Sequence, residues 1–178
     1  MKNLKLLALL LLVPMYIACS SDDDSTTTTE EEAEFSLIGT WTAETIDFDS
    51  TITTVIEGLP VTATQEGEGF DIDATVTFSE DPNEVSSEGQ FSMTVTTTFL
   101  GVSEEETLEN LDLLGDGTWS LEDNTLTITS TADDQDAVIT IELLSEDMLR
   151  LRIEQTEILD TPVGSGEVDA IFVATFSR

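Results

Sequence analysis

Between Phe70 and Phe78 apolar and polar residues alternate without a miss. Phe70, Ile72, Ala74, Val76 and Phe78 fall on one side, and Asp71, Asp73, Thr75 and Thr77 on the other. A period of two marks a strand with one face in a core and one in water. Residues 90–100 repeat the pattern, with Phe91, Met93, Val95, Thr97 and Phe99 inward. Shorter runs flank these two. Residues 38–49 and 51–57 predict two strands, Gly58-Leu59-Pro60 a turn, and 61–65 a further strand closed by Glu66-Gly67-Glu68-Gly69.

Downstream the punctuation is sharper. Residues 117–121 and 125–131 are two β runs joined by Glu122-Asp123-Asn124, which predicts a tight hairpin with Leu126 and Ile128 facing in. Runs at 137–144, 148–158 and 167–177 follow, the last preceded by a loop over 160–166 that contains Pro162. Leu108, Leu111 and Leu114 recur at helical spacing behind an acidic start, so 104–114 predicts the single helical turn. The total is nine or ten short strands with short connections. Parallel pairing would need long crossovers that the chain lacks, so the fold class is all-β and antiparallel. Between a sandwich and a barrel, hairpin after hairpin favours an up-and-down β-barrel, whose closure also removes exposed edges.

Upstream of Phe35 the pattern changes character. Lys2 and Lys5 introduce an apolar run reaching Val13. It is too short for a permanent span and has the shape of a cleaved secretory signal. Residues 25–34 are polar and repetitive, able to bury nothing, and predict a flexible spacer. The expected organisation is a signal peptide over 1–18, a tether over 19–34 and one barrel domain over 35–178.

Tyr16-Ile17-Ala18-Cys19 resembles a bacterial lipobox, with Tyr16 where that pattern usually has Leu. The resemblance implies acylation of Cys19 and hence a membrane partner through an N-terminal lipid anchor. The alternative is an ordinary signal peptide with an incidental cysteine. Cys19 is the only cysteine, so the domain holds no disulfide. Ser21, Asp22, Asp23 and Asp24 follow at once and resemble the acidic export signal of Bacteroidota lipoproteins. That likeness implies the outer face of the outer membrane; a solvated acidic linker is the plainer reading.

Charge narrows the partners. The chain carries 38 acidic residues against five basic ones, a formal net charge of −33. Past the signal peptide only Arg150, Arg152 and Arg178 are basic. Nucleic acid is excluded as a partner, because phosphate binding needs clustered cations. The chain has no histidine, which removes the commonest general base, the Ser-His-Asp triad and the usual transition-metal ligand. With so many carboxylates no pair stands out as a glycosidase couple, so no catalysis and no cofactor are expected. The run Asp133-Asp134-Gln135-Asp136 reads as a solvated turn rather than a calcium site, and the residues from Asp112 to Asp123 depart from a calcium loop at Leu114 and Asp123.

Two segments repeat: Gly39-Thr40-Trp41-Thr42 and Gly117-Thr118-Trp119-Ser120. Together with Leu143-Leu144-Ser145, with Asp147 through Leu151 and with a closing Phe176-Ser177-Arg178, they give an order that resembles the lipocalin-like domain of Bacteroidota lipoproteins. The resemblance covers nearly all of 35–178. It implies a barrel of about eight strands around a central cavity, with Gly39, Trp41, Gly117, Trp119 and Arg178 as its closing signature. In lipocalins an arginine near the chain end packs over the first-strand Trp, and Arg178 is placed to do so over Trp41; the alternative is a loose, solvated arginine.

Arg150 and Arg152 lie two apart and so share a face, opposite Leu149, Leu151 and Ile153. Facing out, they would pair with acids of neighbouring strands. Facing in, they would grip an anionic ligand bidentately. The expected function is that of a monomeric, surface-anchored barrel that binds a small apolar or amphipathic ligand. The alternative is a protein- or glycan-interaction module in which the barrel is only a stable support.

Overall fold

The computed structural model describes residues 35–56, 58–132, 135–161 and 164–178, and for residues 159–161, 164 and 165 the backbone alone. Cys19, the acidic run Ser21 to Asp24, Asp133, Asp134 and Pro162 lie outside the described residues. The strands are β1 (Gly39–Ile56), β2 (Leu59–Ser79), β3 (Glu84–Phe99), β4 (Val102–Leu111), β5 (Gly117–Glu122), β6 (Thr125–Ser130), β7 (Asp136–Leu144), β8 (Met148–Thr161) and β9 (Gly164–Ser177). Every pairing is antiparallel.

The sheet runs β2-β1-β9-β8-β7-β6-β5-β3, and β2 also pairs with β3, so eight strands close into a ring. β4 stands outside that closure. It pairs with β3 from Phe91 to Phe99, while β5 takes Glu84 and Val85 on the same strand. β4 and β5 thus behave as one stave of the barrel, interrupted at 112–116. Counted this way the fold is the expected antiparallel, up-and-down barrel of eight staves. The register climbs round the ring. Gly39 is level with Phe78, Val85, Gly117 and Ser130, whereas Leu126 leads through Ile139, Ile153 and Phe172 to Phe48. Strands that close with such a stagger must tilt against the barrel axis.

Three expectations need correction. The first concerns strand length. Residues 39–49 and 51–56 belong to one 18-residue strand that runs through Ser50, and 61–65 joins 70–78 in one 21-residue strand. Gly67 and Gly69, read as breakers, lie inside β2. They are there because space is short: a Cβ on Gly67 would come within 2.7 Å of the Met93 sulfur, and one on Gly69 within 2.9 Å of Ile46 Cβ.

The second concerns 104–114, which is not helical. Most of this stretch belongs to β4, with Met93 opposite Leu108 and Thr98 opposite Ser103. The upper half of β3 offers unpaired backbone groups, and the chain returns through the two-residue turn Leu100-Gly101 to meet them. A ladder already in register satisfies those groups, and one turn of helix cannot compete with it.

The third concerns Phe70. Asp71 has φ 46° at a register shift between Phe70 and Asp73, so the inward face changes over there. Ile72, Ala74, Val76 and Phe78 face in as the alternation predicts, but Phe70 is 38% exposed.

Candidate functional site

The two ends of the barrel differ in chemistry. The end carrying the strand starts of β1 and β3 is sealed. Trp41, Phe78, Phe176, Leu126, Ile139 and Leu149 are fully buried there, with Leu37 folded in from the segment before β1. Trp41 donates its Nε1–H to the Leu37 carbonyl at 2.8 Å, so its one polar atom is satisfied inside the core. Arg178 lies across the same ring, its guanidinium carbon 4.2 Å from the Trp41 centroid. Its Nε donates to the Glu146 carbonyl at 2.6 Å and its Nη1 to the Ile38 carbonyl at 3.1 Å. One side chain therefore clamps the β7–β8 turn to the approach of β1, with the indole beneath.

The second G-x-W motif acts on the neighbouring staves. Trp119 donates Nε1–H to the Ser79 carbonyl at 2.9 Å and meets Phe78 edge-on, with centroids 6.0 Å apart. Gly117 must be glycine, because a Cβ there would run into the Thr129 carbonyl oxygen. It is also one of the two β5 residues that close the ring against β3. The closing signature is thus brought together at one end, in two clusters joined through Phe78.

Arg150 and Arg152 sit on the outer face. Leu149 and Leu151 take the interior positions beside them. A bulge in β7 leaves Glu142 between the paired Ile141 and Leu143, and its carboxylate bridges both arginines, at 2.9 Å from Arg150 Nε and 3.7 Å from Arg152 Nη1. Arg152 also pairs with Glu154 at 2.7 Å. Both arginines are held by carboxylates on the outer wall, away from any interior ligand.

The other half of the barrel is not filled. An apolar recess of about 320 Å³ lies inside it, lined by Phe48 of β1, Phe91 of β3, Leu111 and Leu113 at the end of β4, and Ile153 and Phe172 of β8 and β9. Phe91 and Phe172 tilt towards each other across it at 6.5 Å. Asp112, Gln155 and Ala170 complete its rim. Val95, Gly67, Phe48, Phe172 and Ile153 form one rung across five strands, and the Met93 side chain fills the space beside Gly67.

The next rung up is different in kind: Thr97, Gln65, Ser50, Ala170 and Gln155. Gln65 donates its side-chain N–H to Thr97 Oγ1 at 3.2 Å. Ser50 is 5% exposed, and its hydroxyl has no hydrogen-bond partner. Sequence reasoning missed this rung because it placed a break at Ser50 and another at Gly67. The signal was present: Ile46, Phe48, Ser50 and Ile52 occupy one face of an unbroken alternation, with a single polar residue among apolar ones.

Among the described residues no cluster of three metal-ligating side chains forms. Asp136 accepts a hydrogen bond from Thr129 Oγ1 at 2.6 Å. No carboxylate pair faces the recess, whose rim carries Asp112 as its one acid.

No family model matches the chain, and no curated protein does either. Among solved structures, a polyisoprenoid binding domain from Saccharophagus degradans, described as implicated in plant cell wall breakdown, is similar at 10% sequence identity. The match covers 78% of this chain and 98% of that one, with a TM-score of 0.29. The fold described above rests on the strand ring of this chain.

Proposed function

We propose that this protein is a non-enzymatic binding barrel that holds a small apolar or amphipathic molecule in the recess between Phe48, Phe91 and Phe172. The observation that carries the reading is an apolar recess of about 320 Å³ in a barrel whose other end buries Trp41, Phe78 and Phe176. Cavities lined by apolar side chains with a few polar groups at the rim are the usual form of small-molecule sites. A fluorescent apolar probe such as phenylnaphthylamine is expected to bind at one site and brighten. Ala170→Leu, which fills the recess from β9, is expected to abolish the signal while leaving the melting temperature within a few degrees. Undiminished binding to that variant would place the probe elsewhere and remove the basis for the reading.

The barrel is proposed to be carried at the cell surface on a lipid attached to Cys19, on the strength of the lipobox-like residues 16–19 and of Ser21 and the acids Asp22, Asp23 and Asp24 that follow. Palmitate labelling that persists in a Cys19→Ala protein would reject acylation at that residue.

A second reading has one observation in its favour. The hairpin tips at the open end expose Val55, Leu59, Leu100, Val102 and Ile158, each more than half exposed. Apolar tips at one end suit an interaction module whose partner is a protein. Loss of a captured partner on Leu100→Asp with unchanged probe binding would favour it over the cavity.

A further inference from the structure

The recess has aromatic walls and a single ionisable residue in its lining. Phe48, Phe91 and Phe172 line it together with Ile153, and Asp112 is the one charged residue among the lining groups. Asp112 is held in place from both sides. Leu113 after it is buried, and Leu111 before it packs against the core. Gln90 Nε2 donates to Asp112 Oδ1 at 3.3 Å and lies 3.4 Å from the Asn110 carbonyl oxygen, to which it also donates. Among the described residues no cation pairs with Asp112, so a neutral amide alone faces its charge.

Charge elsewhere has the same sign. The cations among the described residues are Arg150, Arg152 and Arg178. Glu142 and Glu154 hold the first two on the outer wall, and the third covers Trp41 at the sealed end. None of them lines the recess. A neighbouring hollow that shares Phe91 with it is lined by Asp71, Asp73 and Glu109. In a chain of net charge −33 these carboxylates set a negative potential at the mouth of the recess, with no positive group there to offset it. A carboxylate brought into this site would lose its hydration, find no counter-ion and meet like charges. An ammonium group meets the opposite case. Asp112 attracts it at the rim, aromatic rings are apolar surface that favours a nearby cation, and an apolar body attached to it can leave water among the phenylalanines.

Resting on the ligand-binding reading above, we infer that the recess takes organic cations, with an ammonium head group at Asp112 and an apolar body among Phe48, Phe91 and Phe172, and refuses the corresponding carboxylates. The test is displacement of phenylnaphthylamine from the full chain at pH 8 by decylammonium, decanol and decanoate, each below its aggregation threshold. Decylammonium is expected to displace the probe roughly tenfold more effectively than decanoate and about threefold more effectively than decanol, the margins narrowing as salt is added. Asp112→Asn is expected to weaken decylammonium about fivefold and to leave decanol and the probe unchanged. Glu105→Gln removes the same charge from an exposed position on β4 outside the recess and is expected to change none of the three. Decanol or decanoate displacing as well as decylammonium would overturn the selection for cations. Equal losses of decylammonium affinity in the two variants, or none in Asp112→Asn, would overturn the role of Asp112. If the probe itself fails to bind, the cavity reading fails, and that outcome is distinguishable from failure of the cation inference.

Discussion

The sealed end and the open end of this barrel are made from the same strands, yet they spend their side chains differently. At the sealed end each large group has a fixed partner: Trp41 has Leu37 and Arg178, and Trp119 has Ser79 and Phe78. At the open end β1 and β2 continue past the ring closure, the inner face thins to Gly67, Ser50 and Ala170, and apolar residues reach the hairpin tips. Packing density sets stability in one half. In the other, packing is incomplete and an apolar recess remains.

The contrast can be broken most severely at Trp41. Trp41→Ala removes the largest fully buried side chain, and a loss of about 3–5 kcal/mol is expected in urea unfolding. A loss below about 1 kcal/mol would mean that the sealed end does not carry the fold.

Arg178 comes next. Arg178→Gln forfeits the contact with the Trp41 ring and the bonds to the Glu146 and Ile38 carbonyls, at an expected cost of about 1–2 kcal/mol. The same exchange at Arg150 is the control. That arginine is about half exposed and pairs across the outer wall, so Arg150→Gln is expected to cost no more than ~1 kcal/mol, and less as salt is added. Equal losses at the two sites would erase the distinction between a clamp and a surface pair.

The smallest expected effect is a gain, at the open end. Leu100 has φ 50° at the first position of a two-residue turn and is 77% exposed. Leucine fits that backbone poorly, and glycine or asparagine fits it well. Leu100→Gly is expected to raise stability by about 0.5–1 kcal/mol in thermal melts, while probe binding in the recess stays unchanged. A loss of stability would show that the leucine packs on something at the tip.

Much of the fold was legible because its cause is local. The alternation in 72–78 and 91–97 and the Asp123-Asn124 turn depend on neighbours in sequence, and the barrel followed from how short the connections are. The G-x-W segments pointed to the sealed end, since a Trp beside a glycine at a strand start is a recognisable arrangement. What escaped was set by partners distant in sequence. Gly67 looks like a breaker until Met93 and Phe48 are seen to crowd it. Residues 104–114 look helical until the edge of β3 is seen beside them. Ser50 looks like a turn residue until β9 is placed against β1. The recess lies where those misreadings meet, because a cavity is defined by side chains from several strands and leaves no pattern in any one.

The interrupted stave has a consequence for self-association. Among the described residues β4 pairs with β3 alone, so its far side is an edge along which a second copy could add strand to strand. Glu104, Glu105, Glu106 and Glu109 all stand exposed on that strand. Two such edges laid together would bring rows of carboxylates into contact, a repulsion that opposes edge-to-edge pairing. The acidity that argued against nucleic acid thus also lines the free edge of β4, on residues that take no part in the recess.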